Sequence, residues 1–153
     1  MGNSGSGGVT ATGDIAEFED ALGGSAWESD CVLEYSHSGA LTYMKFQIDF
    51  DGDGEGFDIE EFEYESSDTD CSEPHVEKSR AVYDVGVVLL LTNSEDYYWF
   101  DVSVELTRDS GPKQWSESIW YEFYLDEEDE DTLYYGTYYP DFGLPLRKRT
   151  LSL

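Results

Sequence analysis

An apolar side chain at every second position is the pattern that most narrows what this chain can fold into. Met44, Phe46, Ile48 and Phe50 alternate with Tyr43, Lys45, Gln47 and Asp49. Tyr98, Phe100, Val102, Val104 and Leu106 alternate with Asp101, Ser103 and Glu105. A period of two puts one set on each face of a strand. Cys31, Leu33 and Tyr35 against Val32, Glu34 and Ser36 read the same way, with Leu33 and Tyr35 on the apolar face. Phe57 and Ile59 continue the pattern after a tight polar loop, and the phase then slips to Phe62 and Tyr64. That slip predicts a bulge at Glu60–Glu61. Ala81–Leu91 is apolar on both faces apart from Asp84 and Gly86, which predicts a central strand. Ile119, Tyr121, Phe123 and Leu125 form another strand, and Leu133, Tyr135, Thr137 and Tyr139 a last one before Pro140. Turn residues separate them at Ser38–Gly39, Asp51–Gly56, Asn93–Asp96 and Asp109–Pro112.

One segment has the helical period instead. Ile15, Phe18 and Leu22 share a face, Asp14 suits the N-cap with Glu17 three residues on, and Gly23–Gly24 ends the helix. The expected fold class is therefore all-β: an antiparallel β-sandwich or jelly-roll-like domain with one short N-terminal helix. The expected division is a flexible Gly/Ser-rich arm over 1–13, a β-domain over 14–142 and a basic tail over 143–153.

Composition decides whether such a chain folds at all. It carries 35 acidic residues against 8 basic ones, a formal charge of −27 over 153 residues. Charge of this size repels itself and opposes compaction. Disordered acidic chains lack aromatic residues, whereas here 16% of residues are aromatic and the acids mostly alternate with apolar positions. The exception is the block Asp126–Asp131. An acid-coated folded domain working in strong brine accounts for both facts, since the Debye length falls to about 3 Å at 1 M salt. Four lysines in the whole chain agree with that adaptation. The charge speaks against direct binding of nucleic acid, which needs Lys and Arg at the phosphates, and against docking on an anionic membrane.

The two cysteines, Cys31 and Cys71, are expected to form a disulfide. It closes a loop of roughly forty residues and contributes about 4 kcal/mol in the chain-entropy treatment. The pairs Cys31 with His37 and Cys71 with His75 invite a zinc reading. Six residues of strand between Cys31 and His37 span roughly 20 Å, too far to share one ion.

The sharpest local motif is Asp49–Glu60. Asp49, Asp51, Asp53 and Gly54, with Glu55 following and Glu60 at the twelfth place, resemble the calcium loop of EF-hands over these twelve residues. The resemblance implies calcium held by Asp49, Asp51, Asp53, Glu55 and Glu60. It departs from the family at Gly56, where an aliphatic residue is usual, and in flanks that alternate like strands. A looser site of Asp51, Asp53 and Glu55 fits a hairpin better. No other cofactor is expected.

Tyr97, Trp99, Trp120, Tyr124, Tyr134 and Tyr138 fall on the more polar faces of their strands. Exposed, they suit a protein interface or sugar stacking; buried, they form a second core layer. Arg147, Lys148 and Arg149 crowd the last seven residues, a basic tail on an acidic body. Catalysis has no motif behind it: there are two histidines and no nucleophile elbow, P-loop or HExxH. The expected role is therefore non-enzymatic: a structural or assembly protein of an extremely halophilic system, most concretely a virion component such as a capsid decoration, tail or connector protein. Its partners are then copies of itself or other particle subunits, docked through the N- and C-terminal tails, with Arg147, Lys148, Arg149, Trp99, Trp120, Tyr134 and Tyr138 as interface residues. The expected location is a virion or other extracellular particle, with synthesis in the cytoplasm and no signal peptide; the alternative is a cytoplasmic protein. The alternative roles are a calcium- or glycan-binding β-module and an acidic DNA-mimic inhibitor.

Overall fold

The computed structural model describes residues 12–93, 97–126, 132–136 and 144–149. In chain order the elements are β1 (Thr12–Gly13), α1 (Ile15–Leu22), β2 (Ala26–Ser29), β3 (Val32–Tyr35), β4 (Leu41–Phe50), β5 (Gly56–Glu63), β6 (Glu77–Asn93), β7 (Tyr97–Ser110), β8 (Ser118–Asp126), β9 (Thr132–Gly136) and β10 (Leu144–Arg149). Hydrogen-bonded neighbours run β2, β4, β5, β6, β7, β8, β9, β10, and β10 pairs back onto β2. These pairings are antiparallel. Among the described residues the fold is thus all-β with a single helix, and its strands form one nearly closed, up-and-down sheet. β1 adds to β6 in parallel, and β3 adds to β4 beyond the end of β2.

Eight strands enclose a space that side chains can just fill. Here rings fill it. Phe50, Phe57, Tyr83, Phe100, Tyr121 and Phe123 are all buried. Phe123 lies 5.3 Å from Phe50 and 5.5 Å from Phe57, both edge-on, and Tyr83 lies 5.7 Å from Tyr121. Burying a Phe contributes roughly 1.5–3 kcal/mol, so these inward positions carry much of the fold.

Helix α1 closes one end of this sheet. Phe18 and Leu22 are fully buried, and Ile15 packs beside them, as the helical period predicts. The β4–β5 loop lies against the helix. Gly54 has φ +70, and a Cβ there would stand 3.0 Å from Glu19 Cα. Only glycine lets the loop come this close. The start of the helix departs from expectation. Asp14 makes no side-chain cap. Its carboxylate accepts the Leu90 N–H at 2.6 Å, while its own N–H donates to the Val88 carbonyl at 2.8 Å. Both bonds stitch the helix to β6 instead.

Three further expectations are corrected. β5 has no bulge: its ladders with β4 and β6 run without a register shift from Phe57 to Glu63. The register shifts fall between β6 and β7, at Val82/Tyr83, Val85/Val87 and Leu90/Thr92. Leu33 and Tyr35 face outward, because the register sets them opposite Tyr43 and Leu41 on the outer face of β4. Lastly, Leu144–Arg149 is not a tail. It forms β10, with Arg147, Lys148 and Arg149 paired to Glu28, Trp27 and Ala26.

Candidate functional site

The acidic loop between β4 and β5 is a tight turn. Asp51 N–H donates to the Gly56 carbonyl and Gly54 N–H to the Asp51 carbonyl, both at 3.0 Å. Asp53 accepts the Glu55 N–H at 2.9 Å. Asp51, Asp53 and Glu55 stay at this turn, while the ladder carries Asp49 and Glu60 away along facing strands, with Asp49 opposite Asp58 and Glu60 opposite Gln47. Glu60 turns to Lys78 at 3.3 Å, and Asp58 pairs with Arg80. The five residues of the calcium motif are therefore not brought to one point.

The outer face of β7, β8 and β9 carries an aromatic row. Register sets Trp99 opposite Tyr124 and Tyr124 opposite Tyr134. The Tyr124 and Tyr134 rings meet edge-on at 6.0 Å. Trp99, Tyr124 and Tyr134 are half-buried, and Trp120 on the same face is exposed. Tyr138 lies outside the described residues, and for Tyr97 the structure describes the backbone alone. Between the row and Trp120 stand Asp101 and Glu122, opposite each other. Glu122 is buried and its Oε1 has no hydrogen-bond partner. Burial raises the pKa of both carboxyls above the usual range, and Asp101 raises that of Glu122 further.

The opposite end of the sheet from α1 gathers groups that the alternation hid. Because β5 keeps its register, Glu61 and Glu63 share the buried face of Phe57 and Ile59, only 8% and 9% exposed. Glu61 pairs with Lys113, whose ammonium also sits 4.3 Å from the Trp115 ring. Glu63 lies opposite Glu77 in the β5–β6 ladder. His37, on the turn between β3 and β4, reaches both: its Nε2 is 2.9 Å from Glu77 Oε1 and 3.6 Å from Glu63 Oε2. Burial raises the Glu63 pKa, and the Glu77 hydrogen bond raises that of His37. Among the described residues, this is where three His, Cys, Asp or Glu ligand atoms converge, all within 4.8 Å of one another.

Cys31 and Cys71 are joined in a disulfide, with Cα atoms 5.7 Å apart. Neither sulfur is a thiolate open to zinc. His75 lies edge-on to Phe62 at 5.1 Å. The bridge anchors the start of β3, which pairs with β4 alone among the described strands. Leu33, Tyr35 and Leu41 are 49%, 73% and 48% exposed there, and Tyr43 completes an outward apolar cluster. No sequence signal marked this cluster as external, because alternation gives two faces without saying which is inside.

A polar cleft of about 500 Å³ lies beside the β7–β8 connection, lined by Leu106, Arg108, Asp109, Gln114, Trp115 and Glu117 among others. No family model, curated protein or solved structure matches the chain.

Proposed function

We propose that this chain is a non-enzymatic assembly subunit of a salt-rich system, and that it docks on copies of itself through the β3–β4 flank. In its most specific form the proposal is a virion component: a decoration, tail or connector protein. The observation that carries it is the outward cluster of Leu33, Tyr35, Leu41 and Tyr43 beside β3. An edge strand with exposed apolar side chains is a template for strand addition, and natural proteins seldom leave one bare without a use.

Three further features support the reading. Rings fill the interior, so the surface is what remains for recognition. The inward faces are mostly apolar, with Glu61 and Glu63 among the exceptions, and the outward faces carry acids such as Asp58, Glu60, Asp101 and Glu105. And β3 is self-complementary. Antiparallel addition of a second copy about a two-fold axis at Glu34 sets Leu33 of each copy beside Tyr35 of the other. That axis also brings two Glu34 carboxylates together, which concentrated electrolyte screens.

Light scattering in molar KCl tests this, comparing the wild type with Tyr35→Asp plus Leu41→Asp. The wild type should be at least dimeric and the double variant monomeric with an unchanged far-UV spectrum. Equal masses would refute docking by this flank. A wild type that is monomeric alone but captured by another particle subunit would move the partner from self to that subunit.

A second reading is glycan binding by the outer row of Trp99, Tyr124 and Tyr134, with Asp101 and Glu122 as hydroxyl acceptors.

A further inference from the structure

We propose that His37, Glu63 and Glu77 form a binding site for a divalent transition-metal ion of the zinc class. The three come from separate places: the β3–β4 turn, the end of β5 and the start of β6. The backbone ladder itself sets Glu63 opposite Glu77. Like charges directly opposite each other in a sheet are destabilising, and here one of the two is buried. Neither pairs with a lysine or arginine among the described residues; the nearby cation Lys113 is engaged by Glu61. What stands over the pair is His37, 2.9 Å and 3.6 Å from the two carboxylates.

Those separations are hydrogen-bond and ion-pair contacts, and they are also ones that a metal can span. With bonds of about 2.0–2.2 Å and a tetrahedral arrangement, neighbouring ligand atoms stand roughly 3.3 Å apart. The two His37 separations bracket that figure, and all three ligand atoms lie within 4.8 Å of one another. One imidazole and two carboxylates make a site of net negative charge, so a divalent cation neutralises it. The imidazole nitrogen selects against calcium and magnesium, which take oxygen ligands. Three protein ligands leave a position for water or for a donor from outside the chain. The site owes nothing to the acidic β4–β5 loop, nor to the assembly role proposed above.

Calorimetry in molar KCl with zinc chloride and, separately, calcium chloride tests the assignment. High salt suppresses diffuse condensation of cations on the acid coat. Wild type should bind one equivalent of zinc and no stoichiometric calcium. His37→Gln and Glu63→Gln should each lose the zinc heat, while Asp51→Asn plus Asp53→Asn should keep it. Should a variant fail to fold by circular dichroism, the exposed Glu77→Gln serves in its place. Absence of stoichiometric uptake by the wild type, or zinc binding that survives His37→Gln, would overturn the proposal. So would many weak equivalents indifferent to all of these changes.

Discussion

Phe18 stands edge-on to Phe100, with ring centroids 5.3 Å apart and planes at 86°. The same ring touches Phe50 at 5.7 Å and Phe123 at 6.0 Å. One residue of an eight-residue helix therefore joins rings from three strands of the sheet. That makes α1 part of the core and not an appendage to it.

Phe18→Ala should therefore cost about 3–5 kcal/mol, the range for removing a buried Phe. Glu17→Ala, on the exposed face of the same helix, should change stability by less than about 0.5 kcal/mol. Urea titration in molar KCl measures both. Equal, small effects would mean that the helix does not close the sheet.

The Cys31–Cys71 bridge holds β3, which pairs with β4 alone among the described strands and whose own side chains bury little. Replacing both cysteines by serine should cost about 2–4 kcal/mol overall. The loss should be uneven. Amide exchange should accelerate first in Val32–Tyr35, while β7 and β8 keep their protection. Uniform acceleration across the sheet would contradict this.

Asp101 and Glu122 give the fold a pH dependence of known sign. Burial raises both folded pKa values, and Asp101 adds to the rise at Glu122. In the unfolded chain both return to the ordinary carboxylate range. Their contribution to stability is thus fully present below that range and is lost as pH rises through the folded values. Acidifying from neutral toward the ordinary carboxylate range should stabilise the protein through these two groups, and Glu122→Gln should flatten the slope. Asp68 limits the gain. Burial pushes its carboxyl up, but the N–H groups of Glu73 and Ser72 outweigh that and leave it below the usual range. Its contribution is lost as pH falls further still. Thermal melts of wild type and Glu122→Gln across this range check the sign.

Much of the fold was legible as alternation, because β4, β7 and β8 each bury one face completely enough to print it on the sequence. Ala81–Leu91 lies between β5 and β7 as a central strand should, but its two apolar faces are not both buried: Leu89 and Leu91 are 41% and 47% exposed. Other features left no such print. Alternation around Leu33 and Tyr35 defined two faces, but the register with β4 decided which one meets water. Leu144–Arg149 carries Pro145 and three basic residues, and pairs with β2 only because the sheet curls round to meet it. Glu61 and Glu63 looked like a lapse in the pattern. Hydrogen bonding carried the strand straight on and took two carboxylates onto the buried face, where Lys113 and His37 meet them. The His37, Glu63 and Glu77 cluster was hidden by the same lapse, since no spacing in the sequence joins those residues. The Asp49–Glu60 motif was the converse case. Its spacing suits a helix-flanked loop, and a hairpin ladder pulls its ends apart.

Self-association through β3 is tested most directly by amide hydrogen exchange of Val32–Tyr35 in molar KCl at low and high protein concentration. Strand addition predicts that these amides gain protection as concentration rises, and that Tyr35→Asp plus Leu41→Asp removes the gain. Exchange rates at Val32–Tyr35 that ignore concentration, in a protein otherwise fully folded, would contradict it.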